Sequence, residues 1–217
     1  MTTQKHRENP LFLRDGFPSD ERSDIPIIHD SESITAERLR SITWIPCSSA
    51  RKNDSRSCDR IGVHHFVGDE HIPNIYENPE RTLEKYSQYS ILITPDNSTY
   101  REMPRPIQIC AVFRSRWVGA FWQSHGLTAI PSVTWSGPES FTFCFDGLEP
   151  SSVVAVSTVG CKRGHEAETF FMRGYNVLLE RIHPRLVLCV GTPFIGMAPA
   201  TTSLIVYPYE YPRKKRD

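Results

Sequence analysis

The stretch ILITPDNSTYREMPRPIQICAVFRSRWVGAFWQSHGLTAIPSVTWSGPESFTFCFDGLEPSSVVAVSTVG (residues 91–160) decides the fold. It opens on a continuous apolar run at 90–94, SILIT, stopped by Pro95-Asp96, which is the pattern of a strand buried on both faces. Met103-Pro104-Arg105-Pro106 then starts a helix, because proline is tolerated in a first turn, and His125-Gly126 ends it with a glycine cap. Cys110, Phe113, Trp117, Ala120 and Phe121 share one face of that helix, and Ile107, Val118 and Trp122 widen it. Arg114 and Arg116 are about 200° apart around the axis, so at most one of them points to the apolar side. After the helix, 127–133 (LTAIPSV) reads as a strand and 135–138 (WSGP) as a turn. Residues 141–145 (FTFCF) read as a second extended piece ending at Asp146-Gly147, and 153–157 (VVAVS) as another buried strand.

The same alternation continues on both sides. Upstream, 42–47 (ITWIPC) and 63–67 (VHHFV) read as strands, and 72–88 as two short helical pieces, the second begun by Pro79. Downstream, 166–182 is an amphipathic helix, 185–190 (RLVLCV) a strand, and 204–207 (LIVY) a short apolar piece. Buried strands separated by helices imply right-handed βαβ crossovers. The expected architecture is therefore a single α/β domain with a mostly parallel sheet flanked by helices, either open and doubly wound or a partial, TIM-like barrel. Residues 127–145 would supply a short antiparallel insertion. Residues 1–24 form an irregular lead-in, 25–207 the domain, and 208–217 a basic tail containing Arg213-Lys214-Lys215-Arg216.

Twenty-five basic and 25 acidic side chains cancel, so the chain as a whole has no attraction for nucleic acid or anionic membrane. The polar start MTTQKHREN lacks the apolar core of a secretion signal, and no run approaches a membrane span; a cytoplasmic protein is expected. Six cysteines form no CxxC pair, and Cys110, Cys144 and Cys189 lie in apolar runs, as small buried hydrophobes do.

In parallel α/β folds ligands bind at the carboxyl ends of the strands. Those ends carry Asp69, Asp96 and Asp146. Converging in one pocket, they would repel one another and leave an acid beside a base, or would hold a divalent cation through oxygen ligands. Ser157 and Thr158, in the glycine-containing turn STVGC, are candidate anion contacts, and Tyr100 and Trp135 are candidate stacking surfaces for a substrate ring. His64 and His65 are adjacent on a strand and point to opposite faces, which argues against a shared zinc ion. Cys161 could serve as a nucleophile only beside a base that the sequence does not place.

Segments VHHFVGDEHIPNIYENPE, ITPDNSTYREMPRPIQ, FRSRWVGAFWQSHGLTAIPSVTW and SFTFCFDGLEPSSVVAVSTVGC carry a resemblance to a family of bacterial and phage proteins, the domain of unknown function 4417, over about residues 12–191. The resemblance implies a cytosolic protein of mobile-element biology and no particular reaction. Two positions depart from the family's pattern: Gly68-Asp69 keeps only the second of two acidic residues, and Ala111 stands where the family tends to have Asn.

Two functions from different classes fit these features. One is an enzyme acting on a small phosphorylated or nucleotide-like substrate, with Asp69, Asp96 and Asp146 as acid/base groups or cation ligands. The other is a non-catalytic module that grips a host protein or nucleic acid through the basic loop 48–60 and the tail.

Overall fold

The computed structural model describes residues 9–56, 58–72, 74–161, 165–198 and 202–209. Among the described residues seven strands follow one another in space in the order of the sequence: β1 (Thr43–Pro46), β2 (Ile61–His64), β3 (Ile91–Ile93), β4 (Ala129–Ile130), β5 (Val153–Ser157), β6 (Leu186–Val190) and β7 (Ser203–Tyr207). Every neighbouring pair within a sheet is parallel, in one four-stranded sheet β1–β4 and one three-stranded sheet β5–β7. A parallel bridge between Ser132 and Ala155 stitches the two together, with Val133 N donating to Ala155 O (2.8 Å) and Ala155 N to Pro131 O (2.9 Å).

Sequential strand order with no reversal is the topology of a barrel, not of a doubly wound sheet. The two sheets share one inner core, and Tyr207 Oη donates to Trp44 O (2.7 Å), which ties β7 to β1 through a side chain. No ladder joins those two strands among the described residues, so the barrel is partial and stays open there.

Side-chain alternation gives the layers. Ile91, Ile93, Val153, Ala155, Leu186, Leu188 and Val190 face the shared interior with Trp44, Ile130 and Ile205. The residues between them face helices. Val154, Val156, Val187 and Cys189 pack on Phe171, Tyr175, Leu178 and Ile182 of the helix His165–Ile182, while Ile61, Val63 and Leu92 pack on Trp117, Val118, Phe121 and Trp122 of the helix Arg105–Ser124. Numbered in chain order, the helices are α1 (Pro10–Leu13), α2 (Ala36–Ser41), α3 (Pro79–Tyr86), α4 (Arg105–Ser124) and α5 (His165–Ile182). Thr35 caps α2 by accepting from Arg38 N, and Pro79 begins α3.

Three expectations change. Residues 141–145 are not extended: Pro138–Thr142 is a 3-10 helix running into a turn, so the expected antiparallel insertion is absent there, and the isolated antiparallel bridge lies instead at Ser19 and Pro26. The local cause is Gly137-Pro138, which starts a tight turn closed by Ser140 Oγ on Gly137 O (2.7 Å). Cys110 is exposed, because it shares the outward side of α4 with the exposed Ile107 and Arg114, whereas Cys144 and Cys189 are buried as expected. β4 is only two residues long, since Pro131 follows it. The basic cluster at 213–216 lies outside the described residues.

Candidate functional site

At the carboxyl end of the first sheet the backbone ladder is short, and side chains complete the hydrogen bonding. Thr94 follows β3, and its Oγ1 lies 3.0 Å from both Ser115 Oγ and Ser132 Oγ, while Ser132 N donates to it at 2.8 Å. This buried hydroxyl triad fastens α4 to the ends of β3 and β4. The approach is close: a Cβ on Gly119, one turn further along α4, would collide with Ile28 and Thr94.

Next to the triad Arg116 is 1 % exposed. Its Nε donates to Asp146 O (3.2 Å), Nη1 to Ser132 O (2.7 Å) and Nη2 to Cys144 O (3.2 Å). A guanidinium held by three main-chain carbonyls keeps its charge inside the protein, and burial draws its pKa down to about 10. Arg114 takes the opposite role: it is half-exposed and lies 3.5 Å from Glu77. The residues one turn away settle which arginine turns inward, because Val112 and Ala120 flank Arg116 on the buried side of the helix.

Asp96 lies just beyond the triad. The residue keeps part of its surface, but Oδ1 is enclosed and has no hydrogen-bond partner among the described residues. Burial pushes its carboxyl up to about 7, the like charge of Asp69 adds to the rise, and Arg116 opposes it. Asp69 is exposed in a 3-10 turn, where it accepts from Ser98 Oγ (2.8 Å) and Ser98 N (3.3 Å). Asp69 and Asp96 thus form an electrostatic pair with unequal environments. Asp146 is placed differently from the expectation, because no strand precedes it. Its Oδ1 accepts from Arg22 (3.0 Å), and its neighbours are Asp20, Arg22 and Ser23 of the N-terminal loop. Among the described residues no three His, Cys, Asp or Glu side chains come together in a metal-binding group.

The segment Pro95 to Glu102 divides two clefts. One, of about 290 Å³, is lined by Asp69, Tyr76, Glu77, Asn97 and Arg114, with Pro95 in its wall. The other, of about 260 Å³, brings together Tyr100, Arg101, Trp135, Cys161, Phe170 and Phe171. Both stacking candidates therefore share one aromatic cleft, and Asp96 raises the pKa of its Cys161 thiol further, beyond the effect of burial. Trp135 packs on Phe171 with centroids 5.0 Å apart, and Arg101 lies 4.3 Å over the Phe170 ring. Gly174 of α5 makes room for that indole, since a Cβ there would strike Trp135 Nε1. Arg101, Phe170 and Phe171 were not singled out by sequence. The aromatic pair at the start of α5 was the available signal.

Ser157 and Thr158 sit at the end of β5 but have their hydroxyl hydrogens committed. Ser157 Oγ donates to Val190 O (3.1 Å) and Thr158 Oγ1 to Thr192 O (2.8 Å), which leaves only oxygen lone pairs toward a ligand. Thr158 lines a third cleft of about 210 Å³ with Gly160, Gly191, Thr192 and Tyr209. The two histidines face opposite ways as expected. His65 is bound between Ile93 O (2.7 Å) and Tyr86 Oη (3.2 Å), while His64 packs near Phe66 and Tyr209. Burial lowers the pKa of His64 to about 4 and of His65 to about 3, so both are neutral at pH 7. In the basic loop, Arg56 is clamped onto Asp54, which also accepts from Tyr89 Oη (2.7 Å).

The sequence pattern of the domain of unknown function 4417 (DUF4417) matches residues 17–208. The chain belongs to this family. DUF4417 relatives include the Gene 1 protein of Mycobacterium phage D29, 34 % identical over 195 residues that span 88 % of this chain and 68 % of that protein. Another is the Gene 1 protein of Mycobacterium phage L5, 33 % identical over 190 residues, which is 88 % of this chain and 80 % of that one. The family assignment is therefore phage-associated and covers the whole strand-end region. No solved structure matches this DUF4417 chain. Among its described residues no helix is long and apolar enough to cross a membrane.

Proposed function

We propose that this DUF4417 chain is a general acid/base enzyme whose reacting centre is the Asp69–Asp96 pair, acting on a small nucleotide-like or phosphorylated substrate. The observation that carries the proposal is Asp96 Oδ1: an enclosed carboxylate oxygen without a partner, at the carboxyl ends of parallel strands, on a group poised near neutrality. Its protonated form donates a hydrogen and its ionised form accepts one, while Asp69, exposed and hydrogen-bonded to Ser98, holds a negative charge beside it. The aromatic cleft of Tyr100, Trp135, Phe170 and Phe171 lies across the segment Pro95 to Glu102 from Asp69, with Asp96 between them acting on its Cys161; it suits a planar ring, and Arg101 at its edge, 3.4 Å from Glu166, suits a substrate phosphate.

Calorimetric titration with uridine and adenosine 5′-monophosphates tests the binding half. Binding is expected in the wild type, intact in Asp96→Asn, and weakened about tenfold or more in Trp135→Ala, the loss of one stacking contact of about 1–3 kcal/mol. Turnover of a bound nucleotide, followed by chromatography, should fall at least about a hundredfold in Asp96→Asn. Absence of nucleotide binding, or turnover indifferent to Asp96→Asn, overturns the reading.

A further inference from the structure

A fourth cleft on this molecule is unlike the three at the strand ends. It has a volume of about 310 Å³ and is lined by Lys52, Asn74, Asn78, Arg81, Thr82 and Lys85. We propose that this cleft is a separate binding site for a compact polyanion, of the class of pyrophosphate, triphosphate or the polyphosphate tail of a nucleotide.

Three cations and two carboxamides line one concavity, and the charges are only partly answered from within the protein. Lys52 Nζ lies 2.7 Å from Glu84 Oε2. Arg81 and Lys85 pair with no carboxylate of the described residues. Lys85 is half-buried, its Nζ 4.6 Å from the Tyr86 ring centroid, and burial lowers its pKa. An ammonium partly stripped of water and lacking a counter-ion is held at a cost that a bound anion would offset. Asn78 precedes α3 without capping it through its side chain, so its carboxamide is not engaged in the usual capping bond.

Shape and flanking charge select the ligand. Glu77 and Glu80 are exposed on either side of Asn78 and Pro79, and Glu84 lies between Arg81 and Lys85 in sequence, so a long polyanion leaving the cleft along α3 meets like charge. A compact anion of two or three phosphates concentrates its charge on Lys52, Arg81 and Lys85 and avoids that repulsion. This distinguishes the site from a nucleic-acid surface, where cations follow a track of phosphates. Asn74 lines both this cleft and the one containing Asp69, so the two share a wall while their charged groups remain distinct.

The test is calorimetric titration of the full chain with inorganic pyrophosphate and tripolyphosphate, in parallel with a single-stranded DNA oligonucleotide. Pyrophosphate or tripolyphosphate should bind in the wild type, more weakly as salt is raised, and at least about tenfold more weakly in Arg81→Met and Lys85→Met. Lys85→Arg, which keeps the charge, should retain binding, and its melting curve controls for folding. Trp135→Ala should leave this binding unchanged, which separates the site from the proposed aromatic nucleotide cleft. Failure of both polyphosphates to bind overturns the proposal. So does equal affinity in Arg81→Met and Lys85→Met, or DNA binding that exceeds polyphosphate binding and is lost in the same variants.

Discussion

The two sheets of this molecule are built by different means. β5, β6 and β7 pair in full five-residue registers, and their side chains alternate cleanly between the shared interior and α5. β3 and β4 match at only two positions, Leu92 with Ala129 and Ile93 with Ile130. Where the ladder stops early, Thr94, Ser115, Ser132 and the buried Arg116 supply the missing hydrogen bonds. The second sheet is held by apolar packing; at the β3–β4 end of the first sheet, polar side chains add to the apolar packing on α4, and it is this end that contains a carboxylate oxygen left without a partner among the described residues. Other enclosed polar atoms of the first-sheet half lack a partner too, Thr99 Oγ1 and His64 Nδ1 among them, but a carboxylate is the costliest of these to leave unmet, and such a group is where function is expected to override stability.

Removing one support from each half is the strongest way to break the contrast. Arg116→Met strips the donors from Ser132 O, Cys144 O and Asp146 O and should cost about 3–5 kcal/mol in urea unfolding, since a hydrogen-bonded buried charge network loses its centre. Leu188→Ala, in the interior shared by both sheets, should cost about 2–4 kcal/mol by opening a cavity. Nearly equal polar and apolar roles at the first sheet would instead predict a loss below about 1 kcal/mol for Arg116→Met, the worth of one ordinary hydrogen bond.

Gly174→Ala probes where the halves meet in the aromatic cleft. The added Cβ displaces the Trp135 indole, so a loss of about 1–3 kcal/mol is expected, together with a change in tryptophan fluorescence. An unaltered emission spectrum would show that the indole does not depend on that helix.

An effect of opposite sign is expected from Asp96→Asn. The folded-state pKa of Asp96 is raised from its ordinary 3.8 to about 7, so the folded state holds a proton that the unfolded chain has lost. Wild-type stability therefore falls as pH rises between about 4 and 7 and levels off above, because fewer protons are bound on unfolding. The variant lacks this slope. It should be more stable than wild type at pH 8, by a margin that opens between about pH 4 and 7, and equal to it below pH 4.

Much of the scaffold was legible because the strands obey simple patterns. VVAVS at 153–157 is continuous and buried, and it appears as β5 over those five residues. The start of α4 followed from Pro104 and Pro106, and its end from Gly126. FTFCF misled because alternating aromatic residues have the period of a strand, while the carbonyls that a ladder would use are taken by Arg116 from a distant helix. That misreading also put Asp146 at a strand end. Asp69 and Asp96 were legible as strand-end carboxylates, but the enclosure of Asp96 Oδ1 was not, since it depends on groups far apart in sequence, Asp69 and Arg116 among them, that the fold gathers around it. Nor does sequence reveal that Val190 O and Thr192 O take up the hydroxyls of Ser157 and Thr158.

The central claim is that Asp96 is an enclosed acid poised near neutral pH by its own fold. Carbon-13 NMR titration of the aspartate carboxyls, with Asp96→Asn identifying the resonance, tests it directly. The midpoint is expected near 7 and should move down in Asp69→Asn, as the like charge is removed. A midpoint near 4, unaltered by Asp69→Asn, would contradict it.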